Sequence, residues 1–322
     1  MNGRRLLAVA AAGLLALSAC GADGERDGAP DAVASAVGEQ PAAAPAATPD
    51  CGDPVASYQP TFTLPAPGEM PDGTYMREIQ DRGRLIVGVS ADTLLFGSRD
   101  PISGRIQGFD IDVLRAVAEA IFGDPDAIEY RVINYAQRLP SLTDNSVDLV
   151  AHTMTINCAR WEQIAFSSEY YHAGQNLLVG FDSDVTEIED LVGTDQKVCV
   201  STGSTNLEEL QNNYPTIERV EVADLTDCLV LFQQSAVEAI TGDNTVMAGF
   251  AAQDPFAKTV GRLFTDEPYG VGVNLDHPEM VEFVNLVLEQ MRTDGRLEQL
   301  AVNWLGEATV PPPAVYGREP AG

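Results

Sequence analysis

Two hydroxyls and a guanidinium stand close together at Thr153-Met154-Thr155 and Arg160, a set able to grip a carboxylate through charge-assisted hydrogen bonds. An arginine that opens a helix is often only a solvated surface residue, so the cluster gains weight only from its company. Ser201-Thr202-Gly203-Ser204-Thr205 would join a strand to a helix whose first amides point outward and attract anions. A plain helix cap is the simpler use of Ser204 or Thr205. Asp243, in Thr241-Gly242-Asp243-Asn244, could accept hydrogen bonds from an ammonium, or could merely cap the helix that follows. In Tyr135-Ala136-Gln137-Arg138-Leu139-Pro140 a ring could stack on a ligand and Arg138 could meet a second negative group; a surface arginine before a proline is the duller account. A carboxylate grip, an anion-binding helix start and an ammonium acceptor are together what a zwitterionic amino acid requires.

No catalytic set competes with these clusters. The chain has no GxSxG elbow, no HExxH pair and no phosphate-binding glycine loop. Its three histidines, His152, His172 and His277, are scattered, and only His152 adjoins one of the clusters. We therefore expect no catalytic residue, no metal and no cofactor.

All four clusters follow predicted strands, where ligands of open α/β sheets bind. The pattern between Met76 and Leu305 alternates short apolar strands with amphipathic helices. Leu85–Val89 reads as a buried strand and Phe109–Phe122 as a helix stopped by Gly123. Ile128, Tyr130 and Val132 mark a half-buried strand, followed by a helix with Pro140 in its first turn and a strand at Val147–Ala151. A second series runs through strand Lys197–Ser201, a helix after Gly203, strand Val220–Val222, helix Leu225–Gln234 and strand Val237–Ile240. A strand near Tyr269–Leu275 precedes helices Pro278–Thr293 and Arg296–Leu305.

The first residues have signal-peptide layout: Arg4 and Arg5, an apolar run from Leu6 to Leu17 too short to span a bilayer, then small residues before Cys20. Leu17-Ser18-Ala19-Cys20 resembles the bacterial lipobox, which implies cleavage before Cys20 and a lipid on its thiol. We expect a signal peptide over residues 1–19, a lipidated N-terminus and flexible spacer over 20–75, and an irregular tail over 309–322. Cleavage would leave 17 basic against 48 acidic residues, a net charge of −31. Such a surface repels nucleic acid, so no nucleic-acid partner is expected. Four further cysteines, Cys51, Cys158, Cys199 and Cys228, suit two disulfides in an oxidising compartment, and four cysteines allow three pairings. Sequence alone leaves the pairing open; Cys199 and Cys228, on a predicted strand and a nearby helix of one domain, are the favoured local pair, and Cys51 with Cys158 would then staple the tail to the body.

Gly108-Phe109-Asp110-Ile111-Asp112-Val113 resembles the signature of family 3 bacterial solute-binding proteins, the polar amino-acid receptors of ABC importers. Thr153-Met154-Thr155-Ile156-Asn157-Cys158-Ala159-Arg160, with Phe166-Ser167, resembles their carboxylate-binding segment. The cysteine contexts and Tyr269-Gly-Val-Gly-Val-Asn-Leu are similar to actinobacterial lipoproteins that bind glutamine or glutamate, the mycobacterial GlnH type. The resemblance implies a type II periplasmic-binding-protein-like α/β fold: two Rossmann-like lobes joined by two crossing segments, residues 76–180 plus 268–308 forming lobe 1 and 181–267 lobe 2. It implies that Arg160 holds the ligand α-carboxylate, aided by Thr155 and by the amide and hydroxyl of Thr205. Asp243 takes the α-ammonium with help from the Thr153 carbonyl, and Ser201 lines the lobe 2 side. Ser90-Ala91-Asp92-Thr93-Leu94 departs from the aromatic or charged residue common after the first strand, leaving Ser90 and Thr93 as pocket candidates. Arg138 sits in a stretch similar to the Asn-Arg-Ile-Pro of glutamate and aspartate receptors, which favours an acidic ligand. The implied partners are an ABC permease or a membrane signalling protein, with a monomeric receptor anchored outside the cell membrane. The competing expectation is an enzyme on the same fold, similar to a cyclohexadienyl dehydratase, which would need a general acid such as Asp92 or Asp243.

Overall fold

A computed structural model describes residues 50–306 and 312–320. The signal peptide, Cys20 and the spacer up to residue 49 lie outside the described residues.

Leu85–Val89 is buried at every position, as a continuous apolar run predicts for a central parallel strand. It pairs in parallel with Ile128–Val132 on one side and Leu149–Val150 on the other. Gly272–Asn274 and then Ile164–Phe166 extend this five-stranded sheet antiparallel. Helix Phe109–Phe122 packs on strand 85–89 and against helices Pro278–Thr293 and Arg296–Leu305. Gly108 begins it at φ 145, and a Cβ there would lie 2.2 Å from the Phe96 carbonyl oxygen, so the signature glycine is a steric requirement. One core joins strands and helices of this lobe, among them Leu85, Val87, Leu114, Val273 and Phe283. Each such side chain contributes about 1.5–3 kcal/mol when fully buried.

The second sheet has the order Glu218–Val222, Lys197–Ser201, Ala239–Asp243, Gln175–Gly180, Ala257–Val260. Its first three strands are parallel and the other two pairings antiparallel. The disulfide Cys199–Cys228 joins a strand to helix Leu225–Gln233, and a further helix, Asn244–Gln253, follows Asp243.

Two segments connect the lobes. Tyr171–Ala173 leaves lobe 1 and Glu267–Tyr269 returns to it, and they pair antiparallel with Tyr269 opposite Tyr171. The first crossing therefore falls at 171–173, not at 180, because Gln175–Gly180 belongs to the lobe 2 sheet. Its apolar run Leu177-Leu178-Val179 is the same in either sheet, so pattern could not assign it. The strand expected near Tyr269–Leu275 is likewise two, one in the hinge and one in lobe 1.

Residues 50–75 are not a spacer on their own account, and the described part of the tail, 312–320, contains one strand, Tyr316–Arg318. Ser57–Tyr58 pairs in parallel with Tyr316–Arg318. The Ser57 hydroxyl donates to the Phe166 carbonyl at 2.7 Å, and the Asn285 amide donates to both Ser57 Oγ and the Tyr58 carbonyl at 2.9 Å. Tyr58 and Met70 are almost fully buried on lobe 1, and Cys51 is bonded to Cys158. Isolated anchors separated by Pro and Gly carry no period, which is why composition alone reads them as a linker.

The bond Cys199–Cys228 closes a loop of sequence separation 29, worth about 3–4 kcal/mol by loop entropy. The double variant Cys199→Ala/Cys228→Ala is expected to lose stability of that order in urea unfolding while keeping its ligand affinity; an unchanged urea midpoint would show that the bond constrains little.

Candidate interlobe binding site

Arg160 lies in the four-residue helix Cys158–Trp161, capped by Asn157, whose side chain accepts from the Arg160 amide at 2.9 Å. Its guanidinium is 5% exposed, and Nη1 donates to the Thr155 carbonyl at 2.7 Å. Burial pulls its pKa down, against the opposing charges of Glu208, Glu267 and Asp243. The loop before it is fixed by the signature helix: Asp110 accepts the Thr153 amide at 2.8 Å and the Tyr170 hydroxyl at 2.7 Å, with Thr153 held at φ 41. Burial raises the Asp110 pKa to about 6.

Facing this arrangement from lobe 2, Asp243 ends strand Ala239–Asp243 and is 5% exposed. It accepts the Asn206 amide at 2.8 Å and the hydroxyl of hinge residue Tyr269 at 2.5 Å. Burial, then the neighbouring Glu267 charge, pushes its pKa up to about 7. Thr155 of lobe 1 and Thr205 of lobe 2 have hydroxyls 3.4 Å apart. Both donate to one oxygen of the Glu267 carboxylate, Thr205 at 2.7 Å, and Thr265 donates to the other at 2.7 Å. The sequence led us to expect both hydroxyls on a ligand carboxylate, but a hydroxyl has one proton, and in this state each is given to Glu267. Glu267 escaped the sequence reading entirely. Its sole local signal is an acidic residue next to a hinge strand, and its decisive partners lie 112 and 62 residues away.

Arg138 also differs from expectation. It is 2% exposed, with Nε donating to the Tyr135 carbonyl, Nη1 to the His152 and Thr153 carbonyls, and Nη2 to the Gly203 carbonyl, all at 3.0–3.1 Å. Its guanidinium also stacks 4.5 Å over the Tyr135 ring. Burial, reinforced by Arg160, lowers its pKa to about 9. Four backbone bonds leave little of its donor fork for a second ligand anion, and the Thr153 carbonyl expected to assist an ammonium serves Arg138 instead. The bond to Gly203 ties lobe 1 to lobe 2. Gly203, at φ 74, allows that approach: a Cβ would stand 2.7 Å from the Ala136 Cα.

The remaining candidates divide by lobe. Ser201 Oγ donates to the Ala223 carbonyl, and Ser204 Oγ donates to the Ser201 carbonyl while accepting the Leu207 amide, so Ser204 is the cap of its helix. Ser90 Oγ donates to Asp92 at 2.6 Å and lies 2.9 Å from Thr93 Oγ1. The other Asp92 oxygen accepts from Thr226 of lobe 2 at 2.6 Å. Tyr135 places its hydroxyl 3.3 Å from Thr153 Oγ1 and its ring 4.7 Å from the His152 ring. His152 is buried, and its pKa falls to about 3 through desolvation and the Arg138 charge. The neutral ring bonds the Ile133 carbonyl through Nε2, leaving Nδ1 an acceptor with no partner among the described residues. Bridges at Arg138–Gly203, Thr226–Asp92 and Glu267 hold the lobes against one another in a closed state. A separate concavity of about 720 Å³ on lobe 2, lined by Gly180, Phe232 and Phe256, contains none of these groups. No cluster of three or more potential metal ligands occurs among the described residues.

Two lobes, a paired double crossing and opposed buried charges at the strand ends agree with one family, whose model, the bacterial extracellular solute-binding proteins, family 3, matches residues 85–307. The chain belongs to that family. As a family 3 protein it is a solute-binding receptor rather than an enzyme. It is 32% identical over 229 residues to the ABC transporter glutamine-binding protein GlnH of Bacillus subtilis, covering 71% of this chain and 84% of that protein. It is 31% identical over 258 residues to the glutamate-binding protein GluB of Corynebacterium glutamicum, covering 77% and 87%. The likeness therefore extends beyond the actinobacterial lipoproteins that the cysteine contexts suggested. Among solved structures, an ancestral arginine-binding protein bound to glutamine superposes with a TM-score of 0.65 at 31% identity, over 70% of this chain and 99% of that one.

Because one carboxylate collects hydroxyls from Thr155 of lobe 1, Thr205 of lobe 2 and Thr265 just before the hinge strand, Glu267→Ala is expected to remove about 2 kcal/mol, lowering the Tm by about 4–8 °C. It should also expand the ligand-free protein in small-angle scattering. An unaltered melt and unaltered scattering would show that Glu267 does not hold the lobes.

Proposed function

We propose that this receptor binds one polar α-amino acid between its lobes, and that the bound side chain is neutral, of the carboxamide class of glutamine and asparagine. The observation that carries the reading is that Arg160 of lobe 1 and Asp243 of lobe 2, each 5% exposed, are close enough for the Asp243 charge to act on the guanidinium although the two share no ion pair. Arg160 would take the α-carboxylate and Asp243 the α-ammonium. Once Glu267 gives up the two threonine hydroxyls, they can turn to the carboxylate as well.

An acidic side chain was expected because of Arg138, and the backbone bonds of that residue remove the reason. Two guanidiniums, Arg138 and Arg160, stand with three buried carboxyls, Asp110, Asp243 and Glu267, and a zwitterion leaves that sum unchanged. A further buried negative charge would cost several kcal/mol of desolvation without a partner. The unpartnered Nδ1 of neutral His152, beside the Tyr135 ring, would accept from a side-chain amide. Glutamine binding by relatives such as GlnH of Bacillus subtilis supports the choice, and GluB of Corynebacterium glutamicum is the reason to test the acid beside the amide. The working partner is an ABC permease, with a membrane signalling protein as the other implied recipient of the closed form. Anchorage through a lipid on Cys20 places the receptor outside the cell membrane; no helix of the described residues is long and apolar enough to cross one.

A thermal-shift screen of the twenty amino acids, followed by calorimetry, tests the reading. Glutamine or asparagine at a hundred times its Kd should stabilise by about 2.7 kcal/mol, and more than glutamate or aspartate do. Arg160→Ala should abolish the effect; undiminished affinity in that variant would refute the site.

The Asp243 carboxyl supplies a second test. Its folded pKa is raised above the unfolded value of 3.8 to about 7, so its protonated form stabilises the ligand-free fold at low pH and that contribution is lost as pH rises from about 4 through 7. An ammonium needs the ionised form, so binding near pH 6 should release a proton and weaken as the pH is lowered. Calorimetry in buffers of different ionisation enthalpy reads this directly. Asp243→Asn should bind weakly and release none, whereas binding enthalpies independent of buffer in the wild type would contradict the assignment.

A further inference from the structure

We infer that the strap at residues 51–58 and the tail strand Tyr316–Arg318 together form a clamp that positions Arg160 for the ligand carboxylate. The inference rests on the reading of Arg160 given above and adds what holds that side chain in place.

Arg160 sits in a helix of four residues, Cys158–Trp161, far below the ~12–15 residues at which an isolated helix becomes even marginal. Its position must therefore come from tertiary contacts, and besides the packing of Trp161 on sheet residue Phe166 these come from the strap and the tail. Cys158, two residues before it, is covalently bonded to Cys51. Trp161, the next residue, donates its indole N–H to the Pro54 carbonyl at 2.8 Å and packs its ring against Tyr58 at 5.7 Å and against Phe166 at 5.5 Å.

The tail locks the strap from the other side. The Arg318 guanidinium lies 4.2 Å over the Trp161 ring. Its Nη2 donates to the Cys51 and Asp53 carbonyls at 3.2 Å and its Nε to the Ala56 carbonyl at 3.1 Å. A disulfide, an indole hydrogen bond and a cation–π stack thus converge on one short turn. Arg160 itself has a single side-chain hydrogen bond among the described residues, to the Thr155 carbonyl. A guanidinium recognises a carboxylate through two parallel bonds and tolerates little misplacement, so the turn that carries it needs external support. The other disulfide, Cys199–Cys228, lies in the lobe 2 core and offers a matched control.

The test measures recognition of the α-carboxylate separately from overall affinity. L-glutamine, L-asparagine and L-glutamate are each compared with their α-amides by calorimetry on the full chain, and the tightest pair is carried forward. In Cys51→Ala/Cys158→Ala the Kd for the free amino acid should rise about tenfold or more while that for its α-amide stays within twofold, collapsing the ratio between them. Arg318→Ala and Trp161→Phe, which keep the disulfide, should lower the same ratio about threefold, and they carry the test if the cysteine variant does not fold. Cys199→Ala/Cys228→Ala should leave the ratio at its wild-type value. A wild-type ratio in folded clamp variants overturns the clamp. If Arg160→Ala collapses the ratio while the clamp variants keep it, the clamp alone fails. If Arg160→Ala keeps it, or the wild type binds none of the three, the reading of the site fails first.

Discussion

Charge taken out of water must be answered by charge or by hydrogen bonds, and that requirement organises this molecule. Arg138, Arg160, Asp243 and Glu267 are each 2–5% exposed, and an unanswered ion in such surroundings costs several kcal/mol. No single lobe holds all the answers. Arg138 reaches to the Gly203 carbonyl, Glu267 draws a threonine from each side, and Asp243 relies on a hinge tyrosine. The site exists as a partnered set only when the two sheets meet at their strand ends.

The hinge takes part in the chemistry it permits. Glu267 and Tyr269 are two residues apart on one strand, so their side chains leave the same face of the paired crossing. One receives Thr155 and Thr205 while the other donates to Asp243. The polar contacts that bridge the lobes therefore share the strand by which the lobes are joined. On the proposed reading, a zwitterion would enter among groups already partnered within the protein, Arg160 with the Thr155 carbonyl and Asp243 with Asn206 and Tyr269, and its charges would have to compete with those partners. Affinity is then a difference between two closed arrangements as much as a sum of new bonds.

Local pattern made part of this legible. Strand Leu85–Val89, helix Phe109–Phe122 and the two final helices were readable because their apolar periods are determined by their own residues. Arg160 and Asp243 could be picked out as residue types placed after strands, and in the structure both are buried, with the Asp243 charge acting on Arg160. Arg138 shows where such reading stops: sequence displays a cation but not which acceptors fill its fork. Glu267 shows the same from the other sign, since its meaning depends on hydroxyls far along the chain. Of the segment 51–70 only the Cys51 staple was legible; Tyr58 and Met70 were not, because they are single anchors in a segment without a period, and their burial depends on lobe 1 surfaces formed much later in sequence.

The parallel pair Ser57–Tyr58 and Tyr316–Arg318 has a mechanical consequence. Both described extremities of the chain are fastened to lobe 1, and lobe 2 is joined to the rest only through the paired crossing and the contacts across the cleft. A pull on either extremity is borne by lobe 1 and its clamp and passes around the crossing instead of through it. Lobe 2 can swing without dragging an attachment, so the work of closing on a small molecule is independent of how tightly the rest of the protein is held.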